Sequence, residues 1–167
     1  MVVDQNFLKV KKYFLLIIFF LLFTSKSYSN NYKFTKIIEL NEPWGSSFIN
    51  NNEIIITEKS GKIKIVNVIS KEVTEIKHNL NFLEVGQGGL LDIIHQDNIL
   101  WISYSENRGD SKTSTSIAKA LLNKQELNFK HIFQANPPIN SGYHFGSRLA
   151  IKGDYLYASA GERGQGM

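Results

Sequence analysis

Lys62-Ile63-Lys64-Ile65-Val66-Asn67-Val68 is the stretch that decides the fold class. Lysine and isoleucine alternate, so an extended chain places Ile63 and Ile65 on one face at period two, the pattern of a half-buried strand; after Val66 the phase weakens. The turn before it, Lys59-Ser60-Gly61, and the triplet Asn50-Asn51-Asn52 use residues that tolerate positive φ or bond their own backbone. Working outward, further apolar or alternating runs close on such signals at residues 32–40, 46–49, 53–58, 90–95, 99–105, 116–122, 129–134, 147–151 and 155–160, with turns at Asn98 and Lys152-Gly153-Asp154. The expectation is an all-β chain of local hairpins. Residues 118–127 are rich in Ala, Leu, Lys, Gln and Glu and compete as a helix, but the run is short for one and its neighbours are β-like, so it reads as strand plus turn.

The first thirty residues bear on the compartment. Lys9, Lys11 and Lys12 precede an unbroken apolar run over 13–23, followed by Thr24-Ser25-Lys26-Ser27-Tyr28-Ser29. That order is a secretory signal peptide, with cleavage expected after Ser29, and the apolar run falls well short of the roughly 20 residues that span a bilayer. An uncleaved anchor is the alternative; either way residues 30–167 are exported, periplasmic or secreted. Removing the segment takes away four lysines and one aspartate, and the formal net charge falls from +4 to +1. No Lys/Arg cluster survives, which argues against a nucleic-acid partner. Without cysteine, no disulfide or thiolate chemistry is open to the chain. No Pro-rich or Gly/Ser linker divides it, so a single domain is expected.

Short strands at this spacing fit a sandwich, a barrel or a propeller. A blade needs four meandering strands, and residues 44–68 and 90–134 read as successive meanders of about that size. An apolar run, a turn and an aromatic-containing run also recur at Ile99-Leu100-Trp101-Ile102-Ser103-Tyr104 and Asp154-Tyr155-Leu156-Tyr157-Ala158. In order along the chain stand Pro43-Trp44-Gly45, Thr57-Glu58-Lys59-Ser60-Gly61-Lys62-Ile63, Gly86-Gln87-Gly88-Gly89-Leu90-Leu91-Asp92, Tyr104-Ser105, His144-Phe145-Gly146-Ser147-Arg148-Leu149 and Gly161-Glu162-Arg163-Gly164. Together they resemble the soluble glucose/sorbosone dehydrogenase family, the aldose sugar dehydrogenases that use pyrroloquinoline quinone.

The resemblance implies a six-bladed β-propeller, of which about two to three blades are present, and oxidation of an aldose at C1 to the lactone by hydride transfer to the quinone. The partners implied are a small aldose and an external electron acceptor. It makes His144 the base that takes the anomeric hydroxyl proton, a step that suits an imidazole with an unperturbed pKa of ~6.5. His144 follows the loop Pro137-Pro138-Ile139-Asn140-Ser141-Gly142 and precedes an apolar strand, so it belongs at a strand's mouth. Without the resemblance, a loop histidine bonding a neighbouring carbonyl is the simpler reading. Gln87 is carried over as a cofactor- or substrate-binding amide, with Gly86, Gly88 and Gly89 allowing close backbone approach; a tight blade connection remains the alternative. Arg148 reads as a cation that stabilises the propeller, and Trp44, Trp101 and Tyr104 as inter-blade packing.

Pyrroloquinoline quinone and calcium are implied as cofactors, but the family's main ligands for both lie beyond the end of this chain, and no metal ligand is assigned within it. His78, His95 and His131 lack partner acids at ligand spacing, and Glu106 and Asp110 lack the spacing of a calcium loop. The turns at Gln96-Asp97-Asn98 and Asn50-Asn51-Asn52 are shorter than the family's. The expectation is an N-terminal fragment inactive by itself. The second reading is a non-catalytic periplasmic propeller that binds a carbohydrate or a protein.

Overall fold

In the computed structural model, residues 32–165 are described, and among them there is no helix and eleven strands. The signal-peptide reading of residues 1–29 lies outside the described residues. Two units separate, Met1–Thr35 and Lys36–Met167. Of the first, residues 32–35 carry no regular structure, and the fold below is that of the second.

The first meander is β1 (Pro43–Phe48), β2 (Glu53–Glu58), β3 (Ile63–Asn67) and β4 (Val73–His78), paired antiparallel in that order. The second is β5 (Leu90–Gln96), β6 (Ile99–Asn107), β7 (Thr113–Leu121) and, after β8 (Glu126–Leu127), β9 (Lys130–Gln134). β10 (Gly146–Lys152) and β11 (Tyr155–Ala160) form a third, two-stranded sheet. The fold is therefore all-β, two complete propeller blades and the first hairpin of a third. Ile63 and Ile65 are buried as their alternation requires, and they join Ile55, Leu90, Ile93 and Leu100 in one core shared by the first two blades. The turns follow their residues: the Asn50 side chain accepts the N–H groups of Asn52 and Glu53, both at 2.9 Å, and Asp97 and Asn98 take φ of 51° and 62°, the double left-handed turn of a two-residue hairpin.

Residues 118–127 form the expected strand and turn, and then a short strand, β8, that was not expected. Other expectations need correction. Residues 32–40 form no strand; Tyr32 and Phe34 are 78% and 95% exposed, so their apolar character reflects no buried face. β4 was not expected, because only Ile76 on it is buried and Thr74, Glu75 and Lys77 break any apolar period. β7 begins three residues before the expected start at 116, through Thr113-Ser114-Thr115, a run that is buried although polar. It is buried because its hydroxyls are satisfied: Thr115 donates to the Phe145 carbonyl at 2.8 Å, and Ser114 accepts from Arg108 at 3.0 Å. Trp44, expected to pack between blades, is 51% exposed. β8 leaves its own blade and pairs in parallel with β4 of the first, with Leu127 fully buried and the Asn79 side chain bonding both N–H and C=O of Phe129 at 2.8 and 3.1 Å.

All three hairpins start alike. The N–H groups of Lys59, Ser105 and Gly161 donate to the carbonyls of Glu42, Gly89 and Phe145 at 3.1, 2.9 and 3.0 Å. Pro43, Leu90 and Gly146 pair with Glu58, Tyr104 and Ala160, and in each case the register then slips over two residues: Trp44-Gly45, Leu91-Asp92 and Ser147-Arg148. A hydroxyl faces each bulge. Thr57 accepts the Gly45 N–H at 2.9 Å and donates to the Leu91 carbonyl of the next blade at 2.5 Å. Ser103 accepts the Asp92 N–H at 3.0 Å and donates to the Ser147 carbonyl of the third hairpin at 2.6 Å. Ser159 accepts the Arg148 N–H at 3.0 Å. This repeated latch orders the inner strands, and it brings the loops at their starts together.

Candidate active site

The site forms where the Gly86-Gln87-Gly88 loop, ahead of β5, meets the two ends of the third hairpin. The loop closes on itself through the Gly88 N–H to the Val85 carbonyl at 2.8 Å, and the Gln87 N–H donates to the Gly142 carbonyl at 2.7 Å. Gly86 is required: its φ is 56°, and a Cβ there would stand 2.5 Å from the Gly142 carbonyl oxygen. So placed, the Gln87 side-chain oxygen accepts the His144 backbone N–H at 2.9 Å. Gln87 and His144, 57 residues apart in sequence, are in contact.

The hairpin then supplies a partner that the sequence reading missed. Gly146 pairs with Ala160, so residues two steps outside that pair on either side fall opposite one another, and these are His144 and Glu162. His144 Nδ1 and the Glu162 carboxylate are hydrogen-bonded. A Cβ on Gly161 would collide with the His144 carbonyl, so glycine there lets the two chain ends close. No local rule links an acid to a histidine 18 residues earlier; only the hairpin register, from two strands whose turn is visible at Lys152-Gly153-Asp154, makes the pairing deducible. The His144 and Glu162 side chains are 57% and 33% exposed, an open rather than a buried dyad. With Nδ1–H donated to a carboxylate, Nε2 carries the lone pair, which is the tautomer a proton acceptor needs.

His144, Gly146, Ser147 and Arg163 take φ of 47°, 71°, 78° and 63°, so positive φ concentrates at the ends of this hairpin. Backbone strain of this kind persists where surrounding contacts over-determine it. Arg163, directly after Glu162, is 8% exposed and sits 3.8 Å from the Phe145 ring centroid. Burial pulls its pKa below the usual arginine value.

Arg148 lies apart from this dyad. Its guanidinium is 3.4 Å from the Asp92 carboxylate while its side chain is 81% exposed, and with Trp44, Gly146 and Ser147 the two line a hollow of 80 Å³. Asp92 carries the structural weight there, accepting the Leu149 N–H at 2.8 Å across the blade boundary. Glu106 is engaged by Ser116 at 2.6 Å and by Gln134.

The family model for glucose/sorbosone dehydrogenases matches residues 40–167. The chain belongs to the glucose/sorbosone dehydrogenase family. Among curated proteins of that kind, aldose sugar dehydrogenase YliI of Escherichia coli is 29% identical over 137 residues, 76% of this chain and 37% of the relative. The crystal structure of the soluble aldose sugar dehydrogenase from Escherichia coli in its apo form superimposes with a TM-score of 0.70 at 30% identity, covering 75% of this chain and 39% of that one. The pyrroloquinoline-quinone-bound aldose sugar dehydrogenase of Streptomyces coelicolor, at 24% identity and a TM-score of 0.65, is alike in fold, over 76% of this chain and 40% of its own. The chain thus spans about two fifths of the family members it matches. Among the described residues no helix is long and apolar enough to cross a membrane.

Proposed function

We propose that this polypeptide carries the base-bearing side of the active site of a pyrroloquinoline-quinone-dependent aldose dehydrogenase, with His144 as general base and Gln87 as a polar contact for substrate or cofactor. The observation that carries the reading is the pairing of His144 Nδ1 with Glu162 while Gln87 holds the His144 backbone. Residues 1–29 are its export signal, and its place of work is the periplasm.

The chemistry follows from the tautomer. Nε2 of His144 accepts the proton of the anomeric hydroxyl, and the imidazolium that forms is stabilised by the Glu162 carboxylate. Gln87 spends its oxygen on the His144 N–H, so its amide nitrogen is the group left to donate to an oxygen-rich ligand. Pyrroloquinoline quinone, when bound, supplies the hydride acceptor for the C1 hydrogen. The imidazole and the amide fit the substrate-facing side of such a cofactor. Among the described residues, the two arginines beside the dyad are engaged elsewhere: Arg163 is buried against carbonyls and Arg148 lies 3.4 Å from Asp92. These residues therefore make one side of the site, and the 167-residue chain alone is expected to be inactive.

A chimera tests the reading. Residues 40–165 are grafted in place of the matching segment of the Escherichia coli aldose sugar dehydrogenase, and dye reduction is followed with pyrroloquinoline quinone, calcium and glucose. The chimera should turn over, and His144→Ala in it should lower kcat by about 10²–10⁴-fold. An unchanged kcat in that variant would sink the base assignment and leave a carbohydrate-binding propeller as the better description.

A further inference from the structure

The dyad is only as good as the geometry that holds it, and the contacts around it converge on one side chain. Arg163 donates from Nε to the Tyr143 carbonyl at 3.1 Å, from Nη1 to the Thr113 carbonyl at 3.2 Å, and from Nη2 to Thr113 Oγ1 at 2.6 Å and the Ser141 carbonyl at 2.5 Å. Its own carbonyl accepts from the Ser141 hydroxyl at 2.6 Å, and its guanidinium stacks on Phe145. A buried guanidinium is costly to desolvate, and this one faces backbone and hydroxyl oxygens. Such an arrangement spends a charge on locking loop conformation. What it locks is specific: Tyr143 precedes His144, Phe145 follows it, and Glu162 precedes Arg163 itself.

We propose that Arg163 is the positioning residue of the dyad, a planar fork that fixes the backbone on both sides of His144 and thereby holds Nδ1 on the Glu162 carboxylate. The inference rests on His144 acting as the base, but the geometry it concerns can be read without turnover. Lysine keeps the charge and loses the fork and the stack, so Arg163→Lys separates geometry from electrostatics. A misplacement of the reacting groups by an ångström, even from a change away from the chemistry, costs on the order of 10²-fold.

The test is nitrogen NMR of the full chain labelled only at its four histidines. In the wild type His144 should show the Nδ1–H tautomer, and in Arg163→Lys that signal should collapse to the mixture of a free imidazole while the other three histidines are unchanged. A folded Arg163→Lys chain that keeps the Nδ1–H signature, or a wild type that lacks it, overturns the proposal. Should Arg163→Lys not fold, Thr113→Val removes one acceptor of the fork and should loosen the tautomer in part; an unaltered signal there is equally fatal. In the chimera, Arg163→Lys should lower kcat about 10²-fold with KM little changed. If His144→Ala keeps turnover while the tautomer responds as described, the base assignment fails and the positioning role stands.

Discussion

Glu58 is fully buried at the end of β2, with one carboxylate oxygen bound to Lys64 Nζ at 2.8 Å and to the Asn41 N–H at 2.9 Å, and the other oxygen without a partner. Burial pushes its pKa up, but the Lys64 hydrogen bond, the Asn41 N–H and the charges of Lys64 and Lys62 outweigh it and hold the group below its ordinary 4.5. Because the folded value lies below the unfolded one, the carboxylate stabilises the fold above about pH 4.5 and loses that contribution as pH falls through the folded value. Glu58→Gln should therefore cost about 2 kcal/mol in urea unfolding at neutral pH, and the deficit should shrink as pH falls through the folded value, where the wild type becomes protonated too. A deficit independent of pH would show that the ion pair contributes nothing beyond the hydrogen bonds.

At the scale of the element, the hydroxyl facing each bulge joins one blade to the next. Thr57→Val keeps the shape and removes both bonds, leaving the Gly45 N–H and the Leu91 carbonyl short of a partner, a loss of about 2 kcal/mol. Thr57→Ser, which keeps the hydroxyl, should cost less than half of that; equal losses in thermal or denaturant unfolding would mean that the methyl group, not the latch, matters. Strands were legible where a turn residue and an apolar period coincide, as at Glu53–Glu58 and Tyr155–Ala160. They were illegible where burial is polar, as at Thr113-Ser114-Thr115, or absent, as along β4. The latch itself was hidden because hairpins starting at 43, 90 and 146 are unevenly spaced and share only a hydroxyl. For the site, the order of motifs pointed to His144 and Gln87, whereas Glu162 and Arg163 act through a register and a loop path that no single window of sequence displays.

For the molecule as a whole, the same equivalence explains an exposed face. Ile55 on β2, two residues before Thr57, is fully buried beneath the second blade, whereas Tyr157 on β11, two residues before Ser159, is 56% exposed, and Tyr155 is 70% exposed. Ile132 and Phe133 add 43% and 49% exposure beside a groove of 390 Å³ against β11. Uncovered aromatic faces beside an open strand edge invite association. The isolated chain should gain mass with concentration in sedimentation velocity, and Tyr157→Lys should suppress it; a monomer at all concentrations would contradict this.

The latch also has a polarity. In both completed cases the proton is given by the earlier blade and taken by the later one, so the outgoing end of the series presents a hydroxyl at Ser159 and the incoming end presents the backbone at Trp44. Two copies meeting hydroxyl to hydroxyl leave the carbonyl ends without that donor, whereas copies joined head to tail repeat the internal joint, a heterologous contact. Assemblies of this chain should accordingly be built head to tail, with the Ser159 end of one copy on the Trp44 end of the next.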